Sequence, residues 1–226
     1  MSWVWSNLDL IWDRTLDHVV LSVPPIVLAL LLSVPLGALA NRYRVSRGVI
    51  LSAAGLLYAI PSLPLLIVIP AVVGTSARSP VTLIIALTLY GIALMVRVVA
   101  DGLASVDPDV RQSASAVGSS AWQSFWHVEL PLSGPVLLAG LRVVAVSTVS
   151  LATIGAVIGV KSLGSLFTDG LQRGIQAEVL SGIVMTVLLA LILDALIVAA
   201  GHALMPWSRT PLPVRSRNGA PGGAEA

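Results

Sequence analysis

The sequence predicts an all-α protein that crosses a membrane about five times. Of its 226 residues, 56% are hydrophobic and 11% are charged, and the mean hydropathy is +0.93. Soluble domains carry roughly 25% charged residues, so a water-soluble globular fold is disfavoured. Five apolar stretches are each long enough to cross roughly 30 Å of hydrocarbon as a helix. A single soluble core could not bury this much apolar sequence, and we therefore predict a polytopic membrane fold.

The predicted transmembrane domain covers residues 19–203. Its five spans run from Val19 to Ala40, from Val49 to Val73, from Val81 to Ala100, from Pro135 to Ile158 and from Leu180 to Ala203. All six tryptophans lie outside these spans, as is typical of side chains at the headgroup level. Residues 204–226 are rich in Pro, Gly and Arg, with little apolar surface to bury, and are predicted to form a disordered cytoplasmic tail.

Residues 1–18 are interpreted as an amphipathic segment outside the cytoplasm. Apolar residues recur there at helical spacing, at Trp5, Leu8, Trp12, Leu16 and Val19. Polar residues occupy the other faces, which predicts a short helix lying on the outer membrane surface; an irregular flank is the alternative. The first span is expected to be retained, because acidic residues precede it, whereas a cleaved signal begins with basic ones.

Basic residues near the span ends predict the orientation. One side collects Arg42, Arg44, Arg47, Arg111, Arg209, Arg215 and Arg217, and the other collects Arg14, Arg78, Lys161 and Arg173. Short cytoplasmic loops carry an excess of basic residues. We therefore predict an inner-membrane protein with its N-terminus outside and its C-terminus in the cytoplasm.

Composition excludes several functional classes. A formal net charge of +2 cannot supply the basic face of a nucleic-acid binder. The lack of cysteine removes disulfides, thiolate metal sites and cysteine nucleophiles. The three histidines, His18, His127 and His202, share no helical face, so no metal site is expected. No hydrolase triad or paired-carboxylate site is visible, and the chain is expected to be non-catalytic.

The polar segment 105–131, between the third and fourth spans, is too long to be a simple connector. Asp107 is a predicted N-cap, Pro108 takes the first helical position, and Asp109 lies near the positive end of the helix. Gly118 is expected to end this helix in a left-handed turn. Ser119 or Ser120 then caps a second short helix, which is predicted to stop at Pro131. A loop that only links two spans is the alternative.

One motif in this segment resembles the EAA loop of ABC importer permeases. Gln112-Ser113-Ala114, three residues, Gly118, nine residues and Val128-Glu129-Leu130-Pro131 match its spacing throughout. Gln112 replaces the glutamate of that motif, and Ser113 replaces the first alanine. The resemblance implies a helix that docks on a cytoplasmic ATPase, with coupling residues Asp109, Arg111, Gln112, Ser113, Ala114, Gly118, Leu130 and Pro131.

Three further segments resemble the osmoprotectant branch, which imports glycine betaine, choline, carnitine or related solutes. They are residues 57–64, 102–108 and 158–164, although Val160, Lys161 and Ser162 depart from the glycine-rich outer loop of that branch. The resemblance implies a type I importer permease that works with a second permease, identical or homologous, a cytoplasmic ATPase dimer and an external solute-binding protein.

No cofactor is expected on this chain. The run from Gly155 to Ser162 superficially suggests a phosphate loop, but Val160 stands where a glycine is needed. ATP and Mg²⁺ are therefore expected on the partner ATPase.

Two ionisable residues lie deep in predicted spans. Arg142 and Asp194 are at similar depth, and an unpaired charge in hydrocarbon is costly, so we predict that they pair. Helix packing and a place in the transport path are both open roles. Arg97 lies nearer a span end and can extend to the headgroups.

The second predicted span is irregular. Tyr58, Pro61, Ser62 and Pro64 interrupt it, and freed carbonyls could line a cavity. Tyr58 and Tyr90 are candidate pathway residues, because aromatic faces attract quaternary ammonium groups. A kinked helix with packing tyrosines is the alternative.

Three other functions remain open. They are a methionine-type ABC permease, an ion-coupled secondary transporter that uses Asp194, and a non-transporting membrane scaffold.

Overall fold

The computed structural model describes residues 2–209, and this part of the chain contains helices and no strands. The α-helices are α1 (Ser2–Ser6), α2 (Leu8–Arg42), α3 (Arg44–Ala59), α4 (Ser62–Val73), α5 (Pro80–Ala104), α6 (Pro108–Ala116), α7 (Ala121–Ser124), α8 (Leu130–Ala152), α9 (Leu163–Arg173) and α10 (Gln176–Leu204). A π-helical turn covers Phe125–Glu129, and 3-10 turns cover Thr153–Ile158 and Pro206–Arg209. The tail predicted for residues 210–226 lies outside the described residues.

The helices confirm a polytopic membrane protein. Four helical runs are long and apolar enough to span a membrane: Leu8–Arg42, Pro80–Ala104, Ala121–Ile158 and Gln176–Leu204. The predicted second span is a pair of helices, α3 and α4, bent by 108° at residues 60–61. Counting this pair as one span gives five. The segment 105–131 lies at the ends of α5 and α8, and we call that side of the bundle the loop side.

Helix α5 forms the centre of the bundle. It packs against α2, α3, α4 and α8, and most of its residues are buried. Its first half contributes Leu83, Leu87 and Tyr90 to one apolar cluster, and its second half contributes Met95 and Val99 to another. By contrast, α10 lies at the periphery and exposes most of its apolar side chains, as a lipid-facing helix does.

The predicted surface helix in residues 1–18 is wrong as a separate element. Residues 8–18 begin the 35-residue helix α2, which continues through Pro24, Pro25 and Pro35. Ile11 is buried in a cluster with Leu163 and Leu166 of α9, so this segment packs on the bundle instead of lying apart from it. The buried face is not the one that the sequence predicts to be apolar, because Trp5, Leu8, Trp12 and Leu16 are all exposed.

Small residues let α2 approach α5 closely. A Cβ atom built on Gly37 of α2 would lie 2.5 Å from Val99 Cγ1, 2.6 Å from Val99 Cβ and 3.1 Å from the Ala100 nitrogen. A Cβ atom built on Gly91 of α5 would likewise lie 2.6 Å from the Cβ of Ala29 in α2. Membrane helices associate through such close contacts, because apolar burial drives no association between helices in lipid.

We expect Gly37→Ala to destabilise the bundle, because the added methyl forces α2 away from the α5 backbone. The free energy of unfolding should fall by about 1–3 kcal/mol, the usual cost of overpacking. Gly55→Ala is the matched control, since a Cβ there meets nothing within 4 Å. The free energy of unfolding of each variant can be measured in mixed micelles. Equal stability of the two variants would contradict the close approach of α2 and α5.

Candidate functional site

The loop segment folds as its sequence predicts on both sides of Gly118. Asp107 caps α6, its Oδ1 accepting the Asp109 N–H at 2.8 Å. Gly118 follows α6 with φ +88°, a conformation that residues with a Cβ rarely adopt. Ser120 caps α7 in a reciprocal capping box with Gln123: the Ser120 hydroxyl accepts the Gln123 N–H at 3.3 Å, and the Gln123 side chain accepts the Ser120 N–H at 2.9 Å.

The predicted stop at Pro131 is wrong. The helical run continues from Ala121 through the π turn at Phe125–Glu129 and into α8. The Leu130 N–H bonds to the Phe125 carbonyl, five residues earlier. Such a wide turn gives a proline ring space that a regular α turn denies it. The second helix of the loop is therefore continuous with a span.

Arg111 joins the loop to both neighbouring spans. Its guanidinium donates a hydrogen bond to the Leu103 carbonyl, in the last turn of α5. Its Nε lies 3.6 Å from Glu129 Oε2, in the turn that leads into α8. Glu129 in turn accepts a hydrogen bond from the Ser124 hydroxyl at 3.5 Å. One side chain thus bridges α6, the end of α5 and the start of α8.

The predicted coupling residues divide into an outer group and an inner group. Asp109, Gln112, Ser113 and Gly118 are exposed on the loop. The inner group faces the chain itself: Ala114 is buried, and Arg111, Leu130 and Pro131 are half-buried. The Ser113 hydroxyl bonds to the Asp109 carbonyl of its own helix at 2.8 Å. The outer group is therefore the part of the loop that a partner can touch.

Exposed apolar side chains accompany the outer group, and two of them are the most exposed in the loop. Val117 is 83% exposed and Trp122 is 71% exposed, although both lie in a polar loop. Trp122 packs edge-on against Trp126, which packs in the same way against Phe125. Neither Val117 nor the Glu129 contact with Arg111 is predicted from the sequence. Val117 could have been noticed as an apolar residue directly before the predicted turn at Gly118.

The break in the second span leaves several carbonyls without a helical donor, and the Ile60 carbonyl is one of them. In a continuous helix the N–H of residue 64 would bond to the Ile60 carbonyl, but Pro64 has no N–H. The Tyr90 hydroxyl of α5 donates to that carbonyl instead. A buried tyrosine therefore fixes the break against the central helix, which supplies the backbone partner that the membrane interior lacks.

The two candidate pathway tyrosines occupy different environments. Their rings meet edge to face with centroids 6.1 Å apart. Tyr58 is half exposed, whereas Tyr90 is buried and its hydroxyl is occupied by Ile60. Pro61 is exposed and Ser62 is partly buried. Of the two rings, only Tyr58 is open to a passing solute.

The structure brings Arg142 and Asp194 together across α8 and α10. The contact is bidentate, with Nε to Oδ1 at 2.6 Å and Nη2 to Oδ2 at 2.8 Å. Both groups are partly exposed on the side of the bundle. This geometry uses both carboxylate oxygens and joins α10 to the bundle. Arg97, the other basic residue singled out within a span, is exposed.

The connection opposite the loop side is tightly packed. Val160 and Ser162, which depart from the glycine-rich pattern, are both buried, and Ser162 caps α9 by accepting the Gly164 N–H at 3.1 Å. A Cβ on Gly164 would lie 2.1 Å from the Thr153 carbonyl oxygen. The departures therefore give this connection a capped helix and a buried apolar contact.

These features define a multi-pass helical membrane protein with a polar loop that contacts the ends of two spans. A family model described as "Binding-protein-dependent transport system inner membrane component" matches residues 14–207. The glycine betaine/carnitine/choline transport system permease protein OpuCD of Bacillus subtilis is 32% identical over 190 residues, which are 84% of this chain and 82% of that protein. The osmoprotectant import permease protein OsmW of Salmonella typhimurium is 31% identical over 195 residues, 85% and 90% of the two chains.

Two solved structures share the fold. An inward-facing structure of the MetNI methionine ABC transporter has a TM-score of 0.70 at 19% identity, over 93% of this chain and 99% of that one. A crystal structure of an amino acid ABC transporter has a TM-score of 0.69 at 13% identity, over 90% and 96% of the two chains. The chain belongs to the family of inner membrane components of binding-protein-dependent transport systems.

We expect Tyr90→Phe to destabilise the broken span, because it leaves the Ile60 carbonyl unpaired in an apolar setting. The free energy of unfolding should fall by about 1–3 kcal/mol. Hydrogen exchange should also rise around residues 60–65. Tyr58→Phe is the matched control, since the Tyr58 hydroxyl makes no hydrogen bond to any of residues 2–209. Unchanged exchange in Tyr90→Phe would contradict the role of this hydroxyl.

Proposed function

We propose that this chain is the permease subunit of an ATP-driven importer that moves a compatible solute such as glycine betaine, choline, carnitine or a proline-like compound into the cytoplasm. Relatives that are 31% and 32% identical over more than four fifths of the chain carry osmoprotectant or glycine betaine/carnitine/choline transport in their names. The solute class rests on these relatives, and the mechanism rests on the loop.

The observation that carries the mechanism is the fastening of the loop by Arg111. Arg111 bonds to the end of α5 and pairs at 3.6 Å with Glu129 just before α8, so we expect movement of the loop to move those helices. We propose that a cytoplasmic ATPase dimer grips the outer group and the apolar Val117 and Trp122. ATP and Mg²⁺ would be bound by that ATPase. Closure of the ATPase would pull on the loop, and the loop would pull on the spans.

A second permease and an external binding protein complete the proposed assembly. One bundle of five spans has too little wall to enclose a path, so a second copy or a homologue would lie across an approximate two-fold axis. The loop side would face the cytoplasm, in agreement with the basic cluster at Arg42, Arg44 and Arg47. The N-terminus would then lie outside, where a binding protein delivers the solute.

The broken span is the proposed wall of the path. Tyr58 offers an exposed aromatic face beside the break, and such a face attracts a quaternary ammonium group through cation–π interaction. Pro61 is part of the break, and Ser62 is the first residue of α4 after it. Tyr90 would not contact the solute, and its hydrogen bond to the Ile60 carbonyl would hold the break in place.

Two alternatives are less well supported. An ion-coupled transporter needs a carboxylate that can exchange its ion, but both oxygens of Asp194 are held by Arg142. A methionine-type permease rests on solved structures that are 22% identical or less, and this similarity shows a shared fold only.

We expect solute uptake by the reconstituted permease, ATPase and binding protein to require ATP on the ATPase side. Gly118→Leu should abolish ATP-driven choline or glycine betaine uptake and ATPase capture, because a branched side chain at φ +88° distorts the turn between α6 and α7. Gly118→Asn is the matched control, since asparagine tolerates left-handed backbone and should retain most uptake.

Three results would contradict the proposal. Uptake that an ionophore collapses and that ignores ATP would favour ion coupling. Uptake of methionine in preference to quaternary ammonium solutes would overturn the solute class. Equal uptake by Gly118→Leu and Gly118→Asn, with both variants folded, would remove the loop from the mechanism.

A further inference from the structure

A basic groove lies between α3 and α5 on the loop side. It has a volume of about 710 Å³ and combines three arginines with apolar and small residues. Its lining residues are Arg44, Arg47, Gly48, Leu51, Ser52, Gly55, Leu56 and Arg97. No step of the proposed transport mechanism uses this groove.

Positive charge in the groove is only partly balanced. Arg47 pairs with Asp101, with Nη2 2.6 Å from Oδ1, and also donates to the Ala100 carbonyl at 3.4 Å. Arg44 and Arg97 have no ion pair or hydrogen bond to any residue within the described range 2–209. Two guanidinium groups are therefore left for a ligand that brings its own negative charge.

The groove runs along α3 from the loop side into the apolar segment that the sequence predicts to span the membrane. Arg44 begins α3 at the loop side, and Arg97 lies seven residues before the end of α5 at Ala104, roughly 10 Å along the helix. Leu51 and Leu56 continue the groove farther along α3. Gly48 and Gly55 add no side chain, and the space above their Cα atoms is empty.

We propose that this groove binds the headgroup of an anionic phospholipid, with the acyl chain lying along Leu51 and Leu56. Arginine forms bidentate, charge-assisted bonds with phosphate, and unpaired guanidinium groups at membrane depth are costly. Basic pockets between spans on the cytoplasmic side are known to bind anionic headgroups. The apolar floor distinguishes a phospholipid from free phosphate, which has nothing to place there. This inference does not depend on the transported solute.

The test measures the thermal unfolding of the full chain after delipidation in detergent. Phosphatidylglycerol should raise the melting temperature of the wild type, whereas phosphatidylcholine and inorganic phosphate should have little effect. Arg97→Gln should weaken the apparent affinity for phosphatidylglycerol about fivefold. Arg42→Gln is the matched control, because Arg42 lies on the same side over the Tyr43 ring and outside the groove, and its response should equal that of the wild type.

A second variant tests the groove without changing its charge. Gly55→Leu fills the floor of the groove and should also remove the preference for phosphatidylglycerol. Because glycine is a poor helix former and this site is open, the variant is expected to fold. Ala53→Leu, at an exposed position of α3 outside the groove, should behave as the wild type.

Several outcomes would overturn the proposal. Equal stabilisation by phosphatidylcholine would remove the headgroup specificity, and equal stabilisation by inorganic phosphate would identify a free-anion site. A response to phosphatidylglycerol that survives both Arg97→Gln and Gly55→Leu would place the lipid elsewhere. If Gly55→Leu lowers the dimer fraction of the chain without added lipid, the groove is a contact between two copies.

Discussion

The hydrogen bond from Arg111 to the Leu103 carbonyl is the contact on which the rest of this account depends. The Leu103 carbonyl lies in the final turn of α5, where it accepts the Val106 N–H as well as this guanidinium. Because the same guanidinium also faces Glu129 at the start of α8, the loop is held at both ends. In the proposed mechanism, a loop held in this way transmits force to the spans, whereas a loosely tethered one would absorb it.

The broken span follows the same rule of backbone satisfaction within the membrane. Pro64 deprives the Ile60 carbonyl of its helical donor, and Tyr90 replaces that donor from α5. The 108° bend between α3 and α4 is thus fixed by a side chain on the central helix. Helix α5 therefore contacts both irregular elements, the break through Tyr90 and the loop through Leu103.

The sequence predicts the structure correctly where local chemistry decides it. The caps at Asp107 and Ser120 and the turn at Gly118 follow from side chains that bond to their own backbone neighbours. It was insufficient where distant packing decides: Ile11 joins α2 to α9, which makes residues 8–18 part of a long helix, and the π turn lets the helix pass Pro131. The inward orientation of Arg111 and the burial of Tyr90 likewise depend on partners far along the chain, which no periodicity reveals.

The central claim is that the loop and its two spans form one rigid body. The chain has no cysteine, so a pair of nitroxide labels can be introduced at Val117→Cys in the loop and Val143→Cys in α8, both exposed positions. Double electron–electron resonance should give one narrow distance distribution, which broadens with Arg111→Gln and is unchanged with Gln112→Ala on the same helix. A distribution that stays narrow after Arg111→Gln would contradict the account, because the loop would then be held by something other than this contact.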